Sequence, residues 1–143
     1  MVVNFKKIKP DAVTPSYSKQ GDAGLDMTAN WIYKCDKYVE YGTGISMQIP
    51  YGYVGLLFPR SSITNHDMLL KNSVGVLDSN YRGEIKFRFI DIGDDYDKEY
   101  NIYEVGDRIG QLIILPYPAI ELKEVEQLSS TERGDGGYGS TGK

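Results

Sequence analysis

The chain is 143 residues long, the size of one domain, and its 16 Lys and Arg against 20 Asp and Glu give a formal net charge of −4. That balance argues against stable nucleic-acid binding but leaves an anionic small molecule open, since a few local arginines decide that. Cys35 is the single cysteine, which excludes an internal disulfide and a cysteine-based zinc site and fits a reducing compartment. No apolar run reaches the roughly 20 residues of a membrane span, and Met1 to Lys7 lacks the basic-then-apolar pattern of a secretory leader. The expected location is therefore cytoplasmic, or a host-cell interior if the source is viral.

Twelve tyrosines and sixteen glycines predict a strand-and-turn protein. Val2 to Ile8 alternates loosely and reads as a first strand, followed by loop through Pro10 and Pro15. In Ala23-Gly24-Leu25-Asp26-Met27-Thr28, the period of two puts Leu25, Met27 and Ala29 on one face and Asp26 and Thr28 on the other. Taken alone, Asp26 is a solvent-side strand residue. Trp31 to Tyr33 and Tyr38 to Tyr41 read as short strands around a turn, and Ile45, Met47 and Ile49 as an alternating strand ended by Pro50. Tyr53 to Phe58 is almost continuously apolar and reads as a strand buried on both faces.

Pro59-Arg60-Ser61-Ser62 comes next. The serines are good N-cap residues, which predicts a short helical turn through Ile63 and His66. Such a turn, flanked by Arg60 and two hydroxyls, suits phosphate; a plain surface cap is the alternative. His66 is the only histidine, and with no second His or Cys to share a metal it reads as a surface or loop residue rather than a metal ligand.

Asn72 to Gly83 gathers the most chemistry. Met68 to Leu70 and Ser73 to Leu77 are expected to enter a hairpin, Ser79-Asn80 to turn it, and Glu84 to Ile92 to leave it with Ile85, Phe87 and Phe89 on one face and Lys86 and Arg88 on the other. Asn72 offers a donor and an acceptor, Asp78 can accept a proton, and Tyr81 can lie flat on a ring. An ordinary hairpin with a polar tip remains open on these residues. Further strands are expected over 100–105, 108–115 and 119–125, and the acidic run 91–99 reads as a solvated turn that fails the calcium-loop template. Residues 131–143 hold five glycines and are expected to be mobile until a ligand holds them. No repeat or linker divides the chain.

Gly75-Val-Leu-Asp78-x-x-Tyr81-x-Gly83, with Asn72 upstream, resembles the third motif of the trimeric dUTPases. Ala23-Gly24-Leu25-Asp26, Pro59-Arg60-Ser61-Ser62, Gly106-Asp107-Arg108-Ile109-Gly110-Gln111 and the segment from Arg133 to Gly142 resemble that family's other motifs, in order. The resemblance implies an all-β, jelly-roll-like (β-clip) barrel over residues 1–130, a glycine-rich lid over 131–143, and a homotrimer with sites shared between subunits. It implies hydrolysis of dUTP to dUMP and pyrophosphate, with Asp78 as the base acting on the attacking water. It implies uracil read by Asn72 and backbone at Gly75, Val76 and Leu77, and deoxyribose packed on Tyr81. The phosphates fall to Arg60, Ser61, Ser62, Gln111, Arg133, Gly139, Ser140 and Thr141, while Tyr138, where the family usually has Phe, stacks on the base. The implied cofactor is Mg²⁺ carried by the triphosphate, with Asp26 reaching it through water.

Two other classes compete. A dCTP deaminase of the same fold needs a catalytic Glu on the strand after the hairpin, where this register has Arg88, and usually Pro-Gly-Trp in place of Ser79-Asn80-Tyr81. A non-enzymatic nucleotide sensor or protein-binding homologue would keep the body without the chemistry, against which Asp78 and the tail argue.

Overall fold

Two four-stranded antiparallel sheets and a two-stranded ribbon make up the computed structural model, which describes residues 1–92 and 102–137. The ribbon joins β1 (Asn4–Lys7) to β5 (Ile45–Gln48). One sheet runs β2 (Leu25–Thr28), β10 (Arg108–Pro116), β6 (Tyr53–Phe58), β8 (Gly75–Leu77); the other runs β3 (Trp31–Cys35), β4 (Tyr38–Gly42), β9 (Lys86–Asp91), β7 (Met68–Leu70). The apolar residues at alternate positions of both sheets meet in one core, including Met27, Leu57, Leu77 and Leu112 from the first and Tyr41, Met68, Phe87 and Phe89 from the second. Gly110 marks how close the layers come, since a Cβ there would lie 2.2 Å from the Phe87 ring. This is the all-β, jelly-roll-like body expected, with a single 3₁₀ turn as the helical element among the described residues.

The alternation in β2 and β9 is as the period of two predicts: Met27, Phe87 and Phe89 are buried while Lys86 and Arg88 are exposed. Several expectations are corrected. Val54, Leu56 and Phe58 are only half-buried, so β6 is not buried on both faces; its strand neighbours cover its edges rather than its second face. The run Met68 to Leu77 is not one strand. It breaks at Lys71–Val74, with Ser73 in the left-handed region at φ 61°, so that β7 joins one sheet and β8 the other. β8 therefore does not pair with β9, and the expected hairpin is a strand–loop–strand arch that crosses between sheets. Ser61 and Ser62 do not cap the turn Ser61–Asn65; Arg60, the last extended residue after Pro59, holds the N-cap position. Residues 102–104 form no strand, and 93–101 lie outside the described residues. Nor do 119–125 form one: they pair with no strand among the described residues, and Ile120, Leu122 and Val125 are exposed.

Candidate active site

The arch from β8 to β9 opens a cleft of about 460 Å³. Asn72, Gly75, Val76, Leu77, Asp78 and Tyr81 line one wall, and Glu40, Lys86 and Arg88 the other. β8 is an edge strand, hydrogen-bonded to β6 on one side, so main-chain donors and acceptors face the cleft on the other.

The loop at its tip is held by its own residues. Tyr81 N–H donates to the Asp78 carbonyl at 3.1 Å. Arg82 donates through Nη1 to the carbonyls of Ser79 and Tyr81 at 2.8 and 2.7 Å. Tyr81 Oη donates to the Glu84 carbonyl at 3.0 Å, laying the ring over Gly83, where a Cβ would sit 2.3 Å from that hydroxyl. Glu84 in turn accepts from Trp31 Nε1 at 2.9 Å and from the Gly44 N–H at 2.8 Å, which fixes the start of β9. Asp78 is exposed, and no described residue forms an ion pair with it.

The opposite wall was not singled out from the sequence. Glu40 is buried and accepts from Arg88 Nε at 2.5 Å and Lys86 Nζ at 3.2 Å. Burial pushes its carboxyl up, but the hydrogen bonds from Arg88 and Lys86 outweigh this and hold it below the usual carboxylate range. Lys86 also lies 4.9 Å from the Trp31 ring and Arg88 4.5 Å from that of Tyr38. Only the strand register, Glu40 opposite Arg88, creates this group.

A second cluster forms where β2, β10 and β6 lie side by side. Asp26, Gln111 and Phe58 occupy one row of the sheet. Asp26 Oδ1 accepts from Arg60 Nε at 2.9 Å and Oδ2 from Arg108 Nη1 at 2.9 Å. Gln111 Nε2 donates to the Pro59 carbonyl at 3.3 Å, and its Oε1 would meet a Cβ on Gly24 at 2.4 Å, which explains a glycine before Leu25-Asp26. Ser61 and Ser62 follow Arg60 in the 3₁₀ turn. His66 is half-buried rather than a free loop residue, its ring 4.1 Å from that of Tyr103.

The two clusters are not one site in this chain. Asp78 follows Leu77, which stands opposite Gly55 near the start of β6, whereas Arg60 to Ser62 follow the end of β6. From the level of Val54 to that of Phe58 is about 13 Å along the strand, and none of Asp26, Arg60, Ser61, Ser62 or Gln111 lines the cleft. In the tail, Arg133 is exposed and donates through Nε to the Gly136 carbonyl at 3.0 Å. Tyr138, Gly139, Ser140 and Thr141 lie outside the described residues.

The dUTPase family's sequence profile matches residues 11–142. The chain belongs to the dUTPase family. Among curated dUTPases, the deoxyuridine 5′-triphosphate nucleotidohydrolase of Clostridium kluyveri is 39% identical over 145 residues, covering 99% of both chains. That of Corynebacterium glutamicum is 38% identical, covering 99% of this chain and 95% of the relative. Among solved structures, the Staphylococcus bacteriophage 80alpha dUTPase with dUPNHPP superposes with a TM-score of 0.84 at 27% identity, over 99% of this chain and 98% of that one. No helix among the described residues of this dUTPase is long and apolar enough to cross a membrane.

Proposed function

We propose that this dUTPase hydrolyses dUTP to dUMP and pyrophosphate by attack of water on the α-phosphorus, removing a precursor of uracil in DNA and supplying dUMP. The observation that carries the residue assignment is the contrast between its two site carboxylates. Asp26 is tied by two guanidiniums, while Asp78 stands exposed at the lip of the cleft without an ion-pair partner among the described residues. A base must be free to take a proton.

Asp78 accepts the proton of the attacking water. Asn72 and the open edge of Gly75, Val76 and Leu77 read the uracil, and the Tyr81 ring packs under the deoxyribose where a 2′-hydroxyl finds no room. Arg60 spends only Nε on Asp26, which leaves its remaining N–H groups for phosphate. Ser61, Ser62 and Gln111 join it. Arg133, Gly139, Ser140 and Thr141 close over the phosphates and Tyr138 over the base, as a lid. Fixed donors of this kind spread the charge that develops in phosphoryl transfer.

Among the described residues no three acidic, His or Cys side chains gather to hold a metal directly. The residues fit an indirect role instead: with two of about four lone-pair positions of Asp26 used by arginines, the others are free to accept from metal-bound water. Mg²⁺ carried by the triphosphate neutralises its charge and orders its conformation.

A homotrimer with shared sites supplies what one chain lacks. The cleft of one subunit and the Asp26, Arg60 and Gln111 cluster of another form one site, with the tail of a third crossing to close it. The exposed free thiol of Cys35 suits the reducing interior of a cell.

A single assay decides between the classes. We expect pyrophosphate release from dUTP, Mg²⁺-dependent and slower with UTP. Ammonia release from dCTP would identify a deaminase, and tight dUTP binding without turnover a sensor; either result would sink the proposal.

A further inference from the structure

Tyr103 sits beneath the phosphate-binding turn and is not used by the mechanism above. It is 3% exposed, and its hydroxyl has no hydrogen-bond partner among the described residues. A buried hydroxyl left unpaired is costly, and Phe would fill the same space without that cost. The ring cannot swing out to water. His66 lies against it at 4.1 Å between centroids, Phe89 and Tyr41 hold it at 5.8 and 6.2 Å, and its carbonyl accepts from Tyr41 Oη at 3.0 Å. His66 closes the same 3₁₀ turn that carries Ser61 and Ser62, its N–H donating to the Ile63 carbonyl at 3.0 Å. The fixed ring and the turn are therefore one packed unit.

The buried hydroxyl lies near enough to the Ser62 hydroxyl and the Arg60 charge for both to act on it. Burial raises the phenol above its ordinary value, and the Ser62 hydroxyl and the Arg60 charge pull it partly back. It is thus a protonated donor throughout the neutral range, adjacent to Ser62 but without a well-formed hydrogen bond to it.

We propose that Tyr103 is a positioning residue for phosphate binding: when a phosphate is bound, its Oη donates to Ser62 Oγ, so that the Ser62 hydroxyl hydrogen is aimed at a phosphate oxygen rather than at the protein. The chain of two hydrogen bonds, phenol to serine to phosphate, strengthens both links in a low-dielectric site. This rests on the reading of Ser62 as a phosphate ligand.

The test is Tyr103→Phe, which removes one oxygen and keeps the packing. Its melting temperature should equal or exceed that of the parent protein, while kcat/KM for dUTP falls about tenfold, the loss of one ordinary hydrogen bond. Affinity for a non-hydrolysable imido analogue of dUTP should fall with it. Affinity for dUMP, which lacks the pyrophosphate moiety, should not. In a Ser62→Ala background the Tyr103→Phe change should have no further effect, because the link it removes is already gone. Unchanged kcat/KM, an equal loss of dUMP affinity, or a full tenfold effect retained in Ser62→Ala would each overturn the proposal. If the parent protein releases no pyrophosphate from dUTP, the functional reading falls and takes this one with it. If the parent is active and Tyr103→Phe matches it, only the role of Tyr103 falls.

Discussion

Arg60 donates through Nε to Asp26 at 2.9 Å, joining two segments 34 residues apart and leaving the outer nitrogens of the guanidinium uncommitted to that carboxylate. Arg60 is a quarter exposed and Asp26 less so, which puts the contact between a surface pair and a buried one. The same carboxylate anchors Arg108.

Replacing Asp26 by Asn removes the charge that both arginines face. We expect about 1–2 kcal/mol of lost stability, below the cost of breaking a fully buried pair because the arginines keep water. Turnover of dUTP should drop roughly tenfold or more as Arg60 loses its orientation. A thermal melt and a pyrophosphate assay check the two separately. Normal turnover in a destabilised variant would reduce Asp26 to a structural role.

Asp78→Asn should leave the fold untouched, since Asp78 is exposed and forms no ion pair among the described residues. We expect kcat to fall by about 10²-fold or more with dUTP still bound, the usual weight of a general base. Near-parental kcat would assign the base elsewhere.

Glu40 gives a pH signature. Its carboxyl titrates below the ordinary value because Arg88 and Lys86 hydrogen bonds outweigh burial. A depressed folded-state value contributes stability that is present above the unfolded-state value and is lost as pH falls through the folded one. Glu40→Gln should therefore be less stable than the parent at pH 7, by about 1–2 kcal/mol given how open Arg88 is. The gap should narrow as the pH falls below 4.5, the ordinary value for a glutamate carboxyl. Melting curves at both ends of that range test it; a gap that is constant with pH would mean that packing, not charge, is what Glu40 supplies.

A site shared between subunits, closed by another chain's tail, predicts complementation between dead chains. Asp78→Asn with its tail intact, and a chain ending at Ser130 with Asp78 intact, should each be inactive alone. Co-refolded at equal ratio, about a quarter of sites combine a good Asp78 with a good tail if the two come from different subunits. Pyrophosphate release near a quarter of the parental level is expected. Mixed trimers seen by mass but lacking activity would mean that the tail serves its own chain.

What could be read from the residues was what is local. The period of two in Leu25-Asp26-Met27 and in Ile85 to Phe89 located two core strands and their outward polar residues, and both are as expected. The turn chemistry of Ser79-Asn80 located the loop but not its partners. Two strands flanking a short turn ordinarily pair with each other, and nothing in Gly75 to Leu77 says that β6 wins that edge instead. Glu40 was passed over for the same reason, because its partners lie 46 and 48 residues away and are set by register. Ala119 to Val125 mixes apolar and charged residues like an exposed-face strand but has no strand partner among the described residues, so composition alone misassigned it. Asp26, Arg60 and Gln111 could be named through the family's motifs, whereas the pairing of Asp26 with Gln111 on one row of the sheet, and the reach of Arg60 back to Asp26, are properties of the fold.

β8 is three residues long and, among the described residues, pairs on one side only. Whatever its open edge holds is held by peptide groups, which no ordinary substitution deletes. Val76, 62% exposed, can change its side chain freely without altering the donors and acceptors of that edge. Proline is the exception, since it removes an N–H and fixes φ. If the base is read on such an edge, that reading is hard to lose by drift, and a change of nucleotide preference has to come from the path of the strand or from the side chains around it, such as Asn72 and the facing wall.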